Sequence, residues 1–435
     1  VIVPPLLQRR ATDEYAPPPW SARDHAVLAR LAFSSSAEAL DRRATAATLR
    51  AIDAVHGGGF YDVPDDATRD LDAAVAVFGG DAPVVDVQTH FVDPGRWHGP
   101  AAHALGTFLQ TADPDRWSVG VDPALIDGAA WAALVFGASE TSVALLTSTP
   151  GTAHDNVLTN AQIAAARDVV DRYAGTGRLL THTIVHPNLG PAELDAMGEW
   201  AAQLRPSGWK CYTLWGPPTK ASPAGGWYLD DDEIGFPFLE RVRALGPRVV
   251  ATHKGIGGGM PASSPRDIGP AAAAFPDLTF VVYHSGFDLD TPAEDESRGV
   301  DRLVQSLAGA GIGPGGNVYA ELGTTWFLML RRPLVAAHVL GKLLCALGAE
   351  RIVWGTDCAW YGSPQPLIDA FRAFTIPPGL QERFGYPPLT HATKERILSV
   401  NAQTLYGVTA PAPADRAWVA NGSAELARTI AQTEG

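Results

Sequence analysis

Eight short runs rich in β-branched and aromatic residues constrain this chain more than any other feature. They are VVDVQTH (84–90), SVALLTSTP (142–150), RLLTHTIVHP (178–187), WKCYTLW (209–215), RVVATHKG (248–255), LTFVVYHSG (278–286), NVYAELGTT (317–325) and RIVWGTDCAW (351–360). Helical stretches such as NAQIAAARDVVDRYAG, PAELDAMGEWAAQL, FPFLERVRALG and PLVAAHVLGKLLCALG lie between several of them. Strands joined through helices pair in parallel, because a parallel pair needs a long crossover. Eight such units favour a closed (β/α)8 barrel over an open doubly wound sheet.

The chain divides into an N-terminal part (1–83), the barrel (84–410) and a C-terminal tail (411–435). Residues 1–20 read as a Pro-rich extended arm. The stretches SARDHAVLARLAF, SAEALDRRATAATLRAIDAV and DDATRDLDAAVAVF carry apolar residues at helical spacing, with Ser or Asp at N-cap positions. This extension packs on the barrel, covers its mouth or helps to form a homodimer.

Of the 435 residues, 46% are hydrophobic and 18% charged, enough apolar surface for a large core. The net charge of -14 argues against nucleic acid and anionic membrane as partners. Three cysteines, Cys211, Cys345 and Cys358, make no disulfide framework and no CxxC pair, which fits a reducing cytoplasm. No apolar run is long enough to span a membrane, and the N-terminus lacks a signal-peptide core. The stretches GIGGGM and GAGIGPGG match phosphate loops poorly.

Polar residues able to bind metal stand at or near the strand ends. The first run ends in Gln88-Thr89-His90. Side chains at i and i+2 share a face, so Gln88 and His90 both point to the barrel mouth. The later runs bring Lys210, His253, His284, Glu321 and Asp357. A single histidine at such a place is usually structural. Several on separate strands converge, because the C-terminal strand ends of a barrel meet at one mouth. Imidazole with carboxylate suits Zn, Fe, Mn or Ni better than Ca or Mg.

This pattern resembles the amidohydrolase superfamily, in particular its amidohydrolase-related branch. Members usually carry HxH on the first strand, Lys or Glu on the fourth, His on the fifth and sixth, and Asp on the eighth. The matching positions are Gln88 and His90, Lys210, His253, His284 and Asp357. KERILSVNAQTLYGV resembles the closing helix of that branch, so the resemblance spans about residues 84–408. It implies a (β/α)8 TIM barrel of the metal-dependent hydrolase type, with a helical N-terminal extension. Gln88 departs from the first His of HxH. It either ligates through its amide oxygen or hydrogen-bonds substrate. Lys210 is either a carbamylated bridge between two metals or an ion-pair partner. Glu321 either supplies a carboxylate to a second metal or pairs with Lys210.

A narrower resemblance rests on WKCYTLW, ATHKGIGGG, SPRDIGPAAAAFPDLTFVVYHSGFD, NVYAELGTTWF and VWGTDCAWYGSPQPLIDAFRAF. These stretches resemble a subgroup that includes the non-haem diiron hydroxylases of platensimycin and platencin biosynthesis. That resemblance implies two irons, O2 as co-substrate, and hydroxylation of a bulky apolar diterpenoid carried as a coenzyme A thioester. Asp357 and Glu321 are then the catalytic carboxylates. The alternative is a hydrolase or decarboxylase with one or two divalent metals (Zn or Mn among them) and Asp357 as base. A barrel that has lost its metals is a third reading, supported by Gln88 alone.

Aromatic residues near the proposed ligands suit an apolar ligand. Trp215, Trp326 and Trp360, with His186, are expected to contact substrate. Trp209, Tyr283 and His182 read as barrel packing. The loop THKGIGGGMPASSPRD is expected to be a lid, a phosphate contact through Lys254, or solvated slack.

Overall fold

The strand runs alternate between two apolar environments, and this alternation builds the barrel. In the computed structural model, which describes residues 42–112, 126–152, 154–257, 259–288, 299–412 and 417–433, eight parallel strands follow one another in the order β1 to β8. They are β1 Val84–Thr89, β2 Thr141–Leu146, β3 Leu179–Ile184, β4 Gly208–Tyr212, β5 Val249–His253, β6 Thr279–Tyr283, β7 Val318–Glu321 and β8 Ile352–Val353. Val85, Val87, Val143, Leu145, Ala251 and Val281 fill the interior. Val84, Ala144, Leu146, Val250, Phe280 and Val282 face the helices instead.

The ring closes through β1 and the chain just beyond β8. The Val87 amide donates to Trp354 O (2.9 Å), Asp357 N–H to Gln88 O (2.8 Å), and Ala359 N–H to His90 O (3.0 Å). These bonds place Asp357 beside Gln88 and His90, although they are some 270 residues apart. The fold is the (β/α)8 barrel expected from the strand runs.

The closing segment seals the other end. Asn401 donates through Nδ2 to Ala349 O (2.7 Å) and Ile352 O (2.6 Å). Ala402, Leu405 and Tyr406 then pack against the interior apolar layer.

Helix α1 (Arg43–Val55) and helix α2 (Leu71–Phe78) form the described part of the N-terminal extension. Asp62 N–H donates to Ala373 O (2.9 Å), and Thr375 N–H to Phe60 O (2.8 Å). Arg42 pairs with Glu140 and Asp369, and Arg372 also reaches Glu140. This part docks on the barrel flank, and none of its described residues lines the pocket at the mouth. The arm at 1–20 and the first predicted helix lie outside the described residues.

The stretch read as a tail holds a sixteen-residue helix, Ala417–Gln432. It buries Trp418, Leu426 and Ile430, and Gln162 fastens it by donating to Ile430 O (2.9 Å). Among the described residues, no helix is long and apolar enough to cross a membrane.

Candidate metal centre

Strict alternation would send Thr89 inward after Val85 and Val87. The β1–β2 register instead shifts between Asp86 and Thr89. Such an irregularity re-aims side chains at a barrel rim, and Gln88 and His90 both open into the pocket there. Backbone strain marks the other strand ends. His284, Ser285, Thr324, Asp357 and Ile256 all hold left-handed backbone (φ 64°, 53°, 54°, 64° and 43°). Non-glycine residues persist there only where the surroundings force them. Three of these five, His284, Asp357 and Ile256, line the mouth.

The pocket encloses about 810 Å³ of space, counting its open mouth, and Gln88, His90, His253, His284 and Asp357 form its polar part. The two buried imidazoles are fixed in one tautomer. His90 Nδ1–H donates to Thr147 O, and His284 Nδ1–H to Gly323 O, each at 2.7 Å. Both Nε2 atoms therefore face the other donors. His90 Nε2 stands 3.0 Å from Asp357 Oδ1 and 3.4 Å from Gln88 Nε2. His284 Nε2 stands 3.1 Å from His253 Nδ1.

Asp357 is held from three sides. Trp360 Nε1–H donates to Oδ1 (3.1 Å), the Thr324 hydroxyl donates to Oδ2, and His90 approaches Oδ1. Burial opposes ionisation of this carboxyl, but the adjoining His90 ring and the Thr324 hydroxyl outweigh it and hold it well below the usual carboxylate range. Burial pushes His284 down to about 4, so its imidazole is neutral and free to offer a lone pair.

A cation fits this donor set in kind. With Nδ1 of His90 protonated, its Nε2 either carries a second proton or aims a lone pair at a carboxylate oxygen. The latter requires positive charge between them. Ligands at ~2.1 Å from one metal, at right angles, stand about 3 Å apart, close to the separations seen. A ligating His also commonly donates its other N–H to a carbonyl, as both do here. As the side chains stand, they satisfy one another in pairs. Among the described residues, no three of the His, Cys, Asp and Glu form a ready cage.

Glu321 and Lys210 lie beneath the pocket. Both Glu321 oxygens accept backbone N–H groups, Oε2 from His284 (3.0 Å) and Oε1 from Gly323. Burial pushes the Glu321 carboxyl up to about 8. It braces the strand ends beneath the pocket and does not line it. Lys210 is fully buried, with Nζ 3.2 Å from the Tyr283 ring centroid and 4.8 Å from that of Tyr212. No hydrogen bond reaches its Nζ, and burial pushes it down to about 7. Neither Glu321 nor Lys210 lines the pocket, and the two charges still act on each other, Glu321 raising Lys210 and Lys210 lowering Glu321 against the larger effect of burial.

The other expected residues separate. Trp215 and Trp360 line the pocket. Trp360 also lies parallel to His90, with centroids 5.4 Å apart. His186 sits behind Trp215, ring against ring at 4.6 Å. Trp326 donates to Leu367 O (2.9 Å) and packs on Phe371 and Phe374, so it is a core residue and not a substrate contact. Lys254 is no phosphate contact. It is fully buried, ion-pairs with Asp267 (2.8 Å) and donates to Ala262 O (3.1 Å), which pins the Gly-rich loop down.

Three features escaped the sequence reading. Asp86 joins β1 to the β8 end by accepting from Gln88 N–H (3.1 Å) and Thr356 N–H (3.0 Å), and burial pushes it up to about 7. Its place two residues before Gln88 in a buried run was the available signal. Thr324 carried none, because only folding brings it to Asp357. The third is helix α3 (Gly99–Ala112), whose Ala101, Ala104, Leu105 and Phe108 face the pocket. Their i, i+3, i+4, i+7 spacing right after β1 was legible.

A family model described as Amidohydrolase matches residues 85–408. A comparison with curated proteins finds no match. Among solved structures, a TIM-barrel protein from Bordetella bronchiseptica, itself described as uncharacterized, is 15% identical, covering 74% of this chain and 98% of that one (TM-score 0.46). A 2,6-dihydroxybenzoate decarboxylase from Rhizobium is 14% identical, covering 75% and 99% (TM-score 0.44). A 5-carboxyvanillate decarboxylase from Novosphingobium aromaticivorans, complexed with manganese and 4-hydroxy-3-methoxy-5-nitrobenzoic acid, is 14% identical, covering 76% and 97% (TM-score 0.47).

Proposed function

The chain belongs to the amidohydrolase family across residues 85–408, and on that premise we propose that it is an enzyme using one divalent metal to cleave a bond at a carboxyl-level carbon, by hydrolysis or decarboxylation. The observation that carries this reading is the pair of pinned imidazoles. His90 and His284 are fixed by carbonyls at Nδ1, so that His90 presents Nε2 to Asp357 and His284 presents Nε2 to His253. His90, His284 and Asp357 would hold the cation, with His253 next to them. Bound there, a divalent metal supplies Lewis acidity that polarises a carboxyl oxygen or acidifies a water.

The chain's own residues do the rest. Asp357 is the sole carboxylate among the described pocket residues, so it is the group that takes up a proton near the reacting atom. Trp360 and Thr324 keep its two oxygens in place for that step. The His253 ring, 5.3 Å from that of Tyr212, stands at the pocket with Nε2 unpartnered and accepts or relays a proton. Tyr212 is itself fixed by donating to Ser148 O (2.9 Å).

The oxidative diiron reading is not favoured. It needs a carboxylate-rich site for two irons, and the Glu321 oxygens are taken by backbone amides.

Protein purified without added metal tests the proposal by metal analysis and an oxygen electrode. About one divalent cation per chain is expected, lost in His90→Ala and in His284→Ala, with no O2 uptake. Release of CO2 from aryl carboxylates, against release of acid from lactones, separates decarboxylation from hydrolysis. Full activity after complete chelation overturns the reading.

A further inference from the structure

Helix α3 turns an apolar face into the active pocket. Ala104 is exposed on it, and Leu105 and Phe108 are half-buried, while Ala102 and Leu109 of the same helix are buried in the core. The helix therefore packs by one stripe and offers the next to the pocket. Leu214, Trp215 and Ile256, from the loops after β4 and β5, bring further apolar surface to it. No Lys or Arg is among the described lining residues. Lys210 is shut behind Tyr283, and Lys254 is bound to Asp267.

Among the described residues, charge thus has a place only on the polar floor made by the strand ends. A second anionic group on a ligand would be stripped of water against apolar side chains, with no cation among the described lining residues to meet it. An uncharged apolar body would bury its own surface and that of Leu105 and Phe108.

We propose that the pocket selects substrates with one polar, carboxyl-level head for the floor and an uncharged apolar body, and that Leu105 and Phe108 on α3 set this preference. The assignment of the head to the floor rests on the function proposed above. The preference for the body rests on the wall alone.

A matched pair of probes tests it by titration calorimetry on the full chain. Decanoate has one carboxylate, and decanedioate carries a second at the far end of the same chain length. Decanoate is expected to bind about tenfold tighter or more. Phe108→Arg, which places a cation on the wall, is expected to cut or invert that ratio by about tenfold. Ala104→Arg, at an exposed position of the same face, repeats the test should the first variant fold poorly.

Equal or tighter binding of decanedioate by the native chain overturns the proposal. So does failure of decanoate to bind at millimolar concentration, or a ratio unmoved in a folded Arg variant. Repeating the titrations after chelation keeps the two proposals apart. Loss of the metal reading would show as absent metal, and loss of this one as an absent ratio.

Discussion

Trp360 and Asp357 are joined by an indole N–H to carboxylate hydrogen bond, Nε1 to Oδ1 at 3.1 Å, while the same indole lies parallel to the His90 ring. One side chain thus orients both an imidazole and the carboxylate next to it. The three residues stand together because backbone bonds between β1 and the segment after β8 close the barrel at that point.

Trp360→Phe keeps an aromatic ring against His90 and deletes the donor. Partners that orient metal ligands are typically worth about 10–100-fold in metal affinity. The variant is expected to lose affinity for Mn2+ or Zn2+ in that range, in competition with a chelator. It should keep its fold by circular dichroism. Unchanged affinity would remove Trp360 from the support of the site.

Glu321→Gln distinguishes brace from ligand. Gln keeps one acceptor oxygen but sets its NH2 against the other backbone N–H. Metal stoichiometry is expected to match the native protein, while stability falls by about 1–3 kcal/mol for the one amide left without an acceptor. Glu321→Ala leaves the His284 and Gly323 amides buried without their acceptor and should cost about 2–4 kcal/mol in urea unfolding. Metal lost in the Gln variant would return Glu321 to the ligand set.

Lys254 and Asp267 form a wholly buried ion pair. Removing one partner leaves an uncompensated charge, at about 3–5 kcal/mol. Lys254→Met is expected to destabilise by that order. Lys254→Met with Asp267→Asn should recover part of it, since Asn retains an acceptor for the Leu229 N–H. A single mutant as stable as the native chain would contradict the packing described.

His338 lies far from the pocket and supplies a pH test that no metal complicates. Its Nδ1 meets Tyr386 OH at 2.9 Å, its ring packs on Phe384, and burial pushes it down to about 4. The unfolded chain binds this proton near pH 6.5, the folded chain only near 4. The stabilisation is therefore complete above 6.5 and is lost as pH falls from 6.5 towards 4. Its size is about 3 kcal/mol. His338→Leu should flatten the melting temperature against pH across that window, and an unchanged slope would refute the assignment.

Much of this was legible in the chain. The eight strand runs predicted the strands and their order, because alternating side chains must face either the barrel interior or the helices. Gln88, His90, His253, His284 and Asp357 were readable because they stand at strand ends, and strand ends of a barrel share one mouth. Trp326 and Glu321 do not line the pocket, for a common reason. A residue near a strand end can turn to the mouth, to the backbone or to the helical layer, and local pattern does not choose among them.

The sequence by itself determined the barrel, its strand order and the identity of the polar groups at its mouth, since these follow from hydrophobic period and residue type. Only the tertiary structure decided which of those groups meet. The register shift after Asp86, the left-handed turns at His284, Thr324 and Asp357, and the carbonyls of Thr147 and Gly323 set each side chain's direction. Those constraints come from chain segments remote in sequence, so they exist only once the ring has closed.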